Sequence, residues 1–182
     1  MIGALQGSLN RKNRKGVQSM LIEMKVKNLA FDLSKSGAMV FLEEMEGKRT
    51  LPIWIGIFEA NAIALELRKI NTARPMTHDL ILNIIKGLEA EATKIVVTEL
   101  KDNTFYATIY ITTKKGEVEI DSRPSDAIAV ALRVGTPIYV VEEVINQAGS
   151  SEETEGQAED KTEDDFMQWL EKLDPDDFKY KM

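Results

Sequence analysis

Glu119-Ile-Asp-Ser-Arg-Pro-Ser-Asp-Ala-Ile-Ala-Val-Ala131 joins a strand-like segment directly to a helix-like one. The apolar period Ile128, Ala131, Leu132 is helical, and Pro124 suits a first helical position, where the N–H it lacks would have had no partner. Asp121, Ser122, Arg123, Ser125 and Asp126 crowd the corner between the two segments. A helix N-terminus offers unpaired N–H groups and a partial positive charge, a setting suited to phosphate. Asp121 and Asp126 are also oxygen ligands of the type that a divalent cation takes. The same residues equally suit ordinary helix-start chemistry, with Ser122, Ser125 or Asp126 capping and Arg123 paired to a nearby acid.

Upstream of this corner, Lys94–Leu100, Thr104–Thr112 and Glu117–Asp121 are β-rich and separated by Lys101-Asp-Asn103 and Lys114-Lys-Gly116, which predicts a three-strand meander. Asp102 and Asn103 read as turn residues in preference to ligands. Tyr106 and Tyr110 share parity with Thr104 and Thr108, implying a partly polar strand face. Thr77 is placed as the N-cap of a helix reaching about Leu88, with Leu80, Ile81, Ile84, Ile85 and Leu88 as its apolar side. An earlier helix carries Ala60, Ile63, Ala64 and Leu67 on one face, with Glu59 as an acid favoured by the helix dipole. Before it, Glu23–Leu33, Ala38–Leu42 and Thr50–Ile55 read as strands, and Trp54 reads as core or dimer packing. Downstream, Gly135-Thr-Pro137 turns into a last strand, Ile138–Val141. The pattern implies an α+β fold: a mixed, largely antiparallel sheet with two to three packed helices, in a single compact domain with flexible termini.

Charge divides the chain. Residues 1–19 carry +4 and residues 149–182 carry −8, leaving −3 for residues 20–148 of a total of −7. The expected organisation is a basic leader over 1–19, a domain over 20–147, an acidic linker over 148–162, and a short amphipathic helix and tail over 163–182. Phe166, Trp169, Leu170 and Leu173 form the apolar side of that last helix. With no cysteine, disulfides, zinc–thiolate sites and a cysteine nucleophile are excluded, and one histidine excludes a multi-histidine centre within the chain. Haem, flavin and nucleotide cofactors are likewise not expected. A metal here would be a hard, oxygen-ligated ion such as magnesium or manganese. No run approaches the ~20 apolar residues of a membrane span, and no apolar core of a secretory signal follows the basic leader. A cytoplasmic protein without membrane contact is therefore expected.

The corner has an echo. Arg74-Pro-Met-Thr77-His-Asp79 and Arg123-Pro-Ser125-Asp126 both put Arg-Pro, a hydroxyl and an aspartate at a helix start. Convergence of the two starts would build one pocket with two arginines, two helix N-termini and several carboxylates.

Four blocks in order resemble the bifunctional nuclease (BFN) domain family: Leu51-Pro-Ile-Trp-Ile-Gly56 with Glu59, Arg74-Pro-Met-Thr-His-Asp-Leu80, Leu100-Lys-Asp-Asn-Thr-Phe-Tyr-Ala107, and Ile120-Asp-Ser-Arg-Pro-Ser-Asp-Ala-Ile128. The resemblance spans about Glu23–Gln147 and implies a compact α+β domain, often dimeric, in proteins described as cleaving both DNA and RNA. Catalytic candidates are chosen chemically from the matching blocks. Asp121 and Asp126 are the expected metal ligands, and Asp126 also ranks as catalytic. Arg123 is expected to neutralise developing phosphate charge and His78 to act as general base or acid, while Asp79, also ranked as catalytic, and Asp102 are the next carboxylates in line for the metal. Arg74, Ser122 and Ser125 are expected to contact the substrate. The competing reading is a non-catalytic regulatory or interaction module, in which the same helix start holds an anionic ligand or a partner protein.

Overall fold

Residues 9–12, 18–32 and 37–149 are described by a computed structural model. Among the described residues, eight strands and four helices follow one another as β1 (Leu9–Lys12), β2 (Gln18–Asp32), β3 (Gly37–Glu44), β4 (Thr50–Gly56), α1 (Ile57–Leu67), α2 (Thr77–Gly87), β5 (Glu91–Lys101), β6 (Thr104–Thr113), β7 (Gly116–Ser122), α3 (Pro124–Val134), β8 (Ile138–Val141) and α4 (Glu142–Gly149). This is the expected α+β class, with α4 in addition to the helices foreseen. Strand β2 begins at Gln18, ahead of the boundary placed at residue 20. The expected C-terminal amphipathic helix and all of the acidic linker beyond residue 149 lie outside the described residues.

The sheet runs β4-β3-β2-β8-β5-β6-β7, with β1 paired to β2. Every described pairing is antiparallel except β5–β8. That exception follows from connectivity: β8 returns through α3 and inserts between β2 and β5, a crossover that an antiparallel hairpin does not need. Strand β2 pairs with β8 over Leu21–Met24 and with β3 from Met24 to Asp32, with a register shift between Val26 and Asn28. Such a bulge bends a strand and lets one long element serve two neighbours.

The turn at Asp102 and Asn103 has φ of +49° and +57°, the left-handed pair that a two-residue type I′ hairpin requires. The reading of these two residues as turn chemistry therefore holds. Helix α3 starts at Pro124 and ends on Gly135, whose φ of +77° gives a left-handed cap.

Burial is deepest at the centre. All four residues of β8 are buried, as are Ile95, Val96 and Val97 of β5. Side chains alternate between faces along a strand, so both faces of the central sheet are covered. Helix α3 packs against both α1 and α2; α1 lies over β2, β3 and β4, α2 over β5, and α3 over β5 and β6, while α4 packs against β2, β4, β5 and β8.

Helix α2 departs from expectation. Its N-cap is Met76, with Thr77 already in the first turn. Of its expected apolar side only Ile85 is buried, with Ile81 partly covered; Leu80, Ile84 and Leu88 are exposed. A helix at the end of the layer has one neighbouring helix, α3, and a single strip of sheet, too little surface to cover a wide apolar face. Tyr110 also differs: it is buried, with Lys94 Nζ 4.4 Å from its ring centre, while Tyr106, earlier on the same strand, is exposed. Trp54 is half-exposed beside Gly37, outside the core.

These contrasts set a stability prediction. Ile128→Ala on α3, fully buried, is expected to cost about 2–5 kcal/mol in urea unfolding with an unchanged denaturant slope. Leu88→Ala, at a residue 74% exposed, is expected to stay within about 0.5 kcal/mol. Equal losses in the two variants would contradict this packing.

Candidate functional site

Three helix starts meet at one place. The Arg123 side chain, at the N-cap of α3, turns back along its own helix and sends Nε to Asp126 Oδ2 at 2.8 Å and Nη2 to Asp126 Oδ1 at 3.3 Å. Its Nη1 donates to Glu59 Oε1 of α1 at 2.8 Å. From α2, His78 Nε2 lies 3.1 Å from Asp126 Oδ1. The result is a continuous chain, Glu59–Arg123–Asp126–His78, whose bonded partners lie up to 64 positions apart in sequence.

Charge explains the state of each group. Partial burial pushes the Asp126 carboxyl up, but hydrogen bonds from Arg123 and His78 outweigh it and hold the group below the usual aspartate value. Its bonds to Asp126 and Glu59 raise the Arg123 guanidinium. An ionised Asp126 only accepts hydrogen bonds, so the His78 hydrogen sits on Nε2. His78 is buried, 8% exposed, and supports Asp126 from the helix-packed side.

Asp79 has a different task. Its Oδ2 accepts from the Met76 N–H at 2.8 Å and its Oδ1 from Arg133 Nε at 2.6 Å. The Met76 bond, with help from Arg133, lowers its pKa. Arg133 Nη1 also donates to the carbonyls of Ala62 on α1 and Ala129 on α3. A guanidinium whose side chain is 5% exposed thereby ties α1, α2 and α3 together.

The two helix starts that echo one another in sequence do converge, through His78 and Asp126. The pair of arginines does not. Arg123 borders a cavity of about 650 Å³, whereas Arg74 borders a separate one of about 260 Å³ along with Asp79 and Arg133. The larger cavity is a groove between α2, α3 and the β6–β7 hairpin. Asp121, Ser122, Arg123 and Asp126 lie at its charged end, and Ile85, Ile109 and Val130 are its buried floor. Ser122 Oγ donates to the carbonyl of Arg123 at 3.0 Å, Ser125 is buried, and Asp121 is exposed. Among the described residues no three of His, Asp and Glu converge to hold a metal ion.

Two residues of this arrangement escaped the sequence reading. Glu59 reads locally as a dipole-favoured acid, yet its carboxylate lies so close over Gly56 that a Cβ there would collide with it. The signal was available: a glycine followed three residues later by a glutamate at a helix start. Arg133 gives no local signal, because its partner Asp79 lies 54 residues away.

The sequence matches a family. The bifunctional nuclease domain matches residues 40–153, more than half of the chain, and the chain belongs to that family. It is also 39% identical over 164 residues to two uncharacterized proteins of Mycobacterium tuberculosis, MT1877 of strain CDC 1551 / Oshkosh and Rv1829 of strain ATCC 25618 / H37Rv. Each match covers 86% of this chain and 98% of the relative. Three of the four blocks that carried the resemblance supply the junction: Glu59 and Gly56 from the first, His78 and Asp79 from the second, Arg123 and Asp126 from the fourth.

The lowered pKa of Asp126 has a consequence for acid stability. A carboxylate with a depressed folded-state pKa contributes stability above its unfolded value, near 3.9, and that contribution is lost as pH falls through the lower folded value. The stability gap between wild type and Asp126→Asn is expected to be full at about pH 6 and to close as pH drops below about 3.9. Urea titrations at stepped pH measure it, and a gap unchanged into strong acid would contradict the ion pairing.

Proposed function

We propose that this protein hydrolyses phosphodiester bonds of DNA and RNA with little sequence preference, at the charged end of the α2/α3/β7 groove. Family membership supports the reaction class. The observation that carries the location is the Arg123 guanidinium, fixed by Asp126 and Glu59 while its side chain remains 65% exposed. A guanidinium has five N–H donors, and three are used in these bonds, so a phosphate oxygen can be received without breaking either ion pair. Binding a phosphate then needs no reorganisation of the arginine, and donors fixed in advance are the arrangement that stabilises charge developing in a transition state.

In this reading Arg123 receives the phosphate, Asp126 orients Arg123, and His78 holds Asp126 in place. Ser122 and Ser125 shape the corner, while Asp79 and Arg74 act at the neighbouring smaller cavity. The local excess of carboxylates works against an anion, which calls for a divalent cation. Asp121 and Asp126 are the oxygen donors proposed for magnesium or manganese, ions that take one or two protein carboxylates and complete their shell with water and phosphate oxygen. Such a cation would supply charge neutralisation and an activated water. A donor set without three converging ligands fits an ion shared with substrate better than a resident one. The same reading has the protein acting in the cytoplasm as a homodimer. The alternative, a non-catalytic module that holds an anionic ligand, draws on the fact that both Asp126 oxygens are already bonded.

Cleavage of fluorescent DNA and RNA with magnesium, manganese or EDTA tests the proposal, with sedimentation run on the same samples to read dimer formation. Metal-dependent cleavage is expected, falling by about 100-fold or more in folded Arg123→Lys and Asp126→Asn variants. Cleavage equal in all three proteins would overturn this assignment of residues. Absence of cleavage in wild type would favour the binding module.

A further inference from the structure

The groove extends well beyond the residues that the proposed reaction uses. From Arg123 it runs over an apolar floor of Ile85, Ile109 and Val130 to a rim where Tyr106 and Ile120 are 41% and 43% exposed. Phe105 adds a second, partly buried aromatic ring to the wall. Phosphodiester hydrolysis itself needs no such surface. A volume of about 650 Å³ lies in the range of small-molecule pockets and is far below that of a duplex.

We propose that this groove is a slot for one unpaired nucleobase next to the phosphate at Arg123, making single-stranded nucleic acid the substrate class. The inference rests on the phosphodiester reading of the charged end. A phosphodiester held at Arg123 carries a nucleoside on either side, and the groove begins where one of them must lie. Its surface is aromatic and aliphatic, which accommodates the face of any base. In a duplex the base is stacked and paired, and bringing it into the groove would cost a few kcal/mol of unstacking. The deep part of the groove presents Ile85, Ile109 and Val130, none of which can hydrogen-bond to a base edge, so the slot holds bases without reading them. The floor is equally blind to a 2′-hydroxyl, which accounts for one site serving both DNA and RNA.

The test uses the full chain and three probes in fluorescence anisotropy with magnesium present: an oligothymidylate, the same strand in duplex, and a strand of equal length made of abasic deoxyribose phosphates. The base-bearing single strand is expected to bind about tenfold or more tightly than either of the others. Tyr106→Ala and Ile120→Thr, both at exposed positions and checked for folding by circular dichroism, are expected to narrow the gap between base-bearing and abasic strands. Equal binding of base-bearing and abasic strands overturns the slot, as does preference for duplex or binding to none of the probes. The two readings separate cleanly. Cleavage without discrimination removes the slot and leaves the hydrolytic reading intact; discrimination without cleavage does the reverse.

Discussion

Arg133 carries its charge into the interior, and a buried guanidinium does not give up its proton. It therefore has to be met by acceptors from every side on which it is enclosed. The acceptors are the Asp79 carboxylate on α2 and the carbonyls of Ala62 on α1 and Ala129 on α3. Removing Asp79, whose own side chain is 32% exposed, would leave the enclosed Arg133 charge with carbonyl acceptors alone, a costly loss because that charge is stranded. The three helices are thus held in one arrangement with little latitude. That arrangement is what brings Glu59, His78 and Asp126 to Arg123.

Around this anchor the Glu59–Arg123–Asp126–His78 junction is a set of hydrogen-bonded side chains with graded exposure. His78 is buried, Asp126 is partly covered, and Arg123 is largely open. The order runs from the rigid interior outward to the groove, so each group is oriented by the one beneath it. Asp126 stays ionised because two donors outweigh its partial burial, and Arg123 is directed because two carboxylates hold it. Gly56 belongs to the same construction, since a side chain there would push the Glu59 carboxylate from the position in which it meets Arg123.

Much of the fold was legible in the sequence because its signals are local. Pro124 before an apolar period marked the start of α3, and Asp102-Asn103 between two β-rich runs marked a type I′ hairpin. That Arg123, Asp126 and His78 stand at helix starts was readable too, since helix-start chemistry is written in consecutive residues. What could not be read was long-range. The pairing of Asp79 with Arg133 and of Glu59 with Arg123 depends on how helices pack; the Gly56–Glu59 spacing marks Glu59 itself, but no local pattern names either partner. The apolar period of α2 misled for a related reason: periodicity says that a stripe exists, not how much neighbouring surface there is to cover it. Leu80, Ile84 and Leu88 remain exposed, and of these Ile84 lines the groove that leads from Arg123.

The central claim is that Glu59 and Asp126, on different helices, act on a phosphodiester through one shared arginine. The direct test is a double-mutant cycle read as cleavage of a single-stranded oligonucleotide by Glu59→Gln, Asp126→Asn and the combined variant. The account predicts that each single change lowers the rate and that the double variant is no slower than Asp126→Asn alone. Independent losses that multiply in the double variant would contradict it.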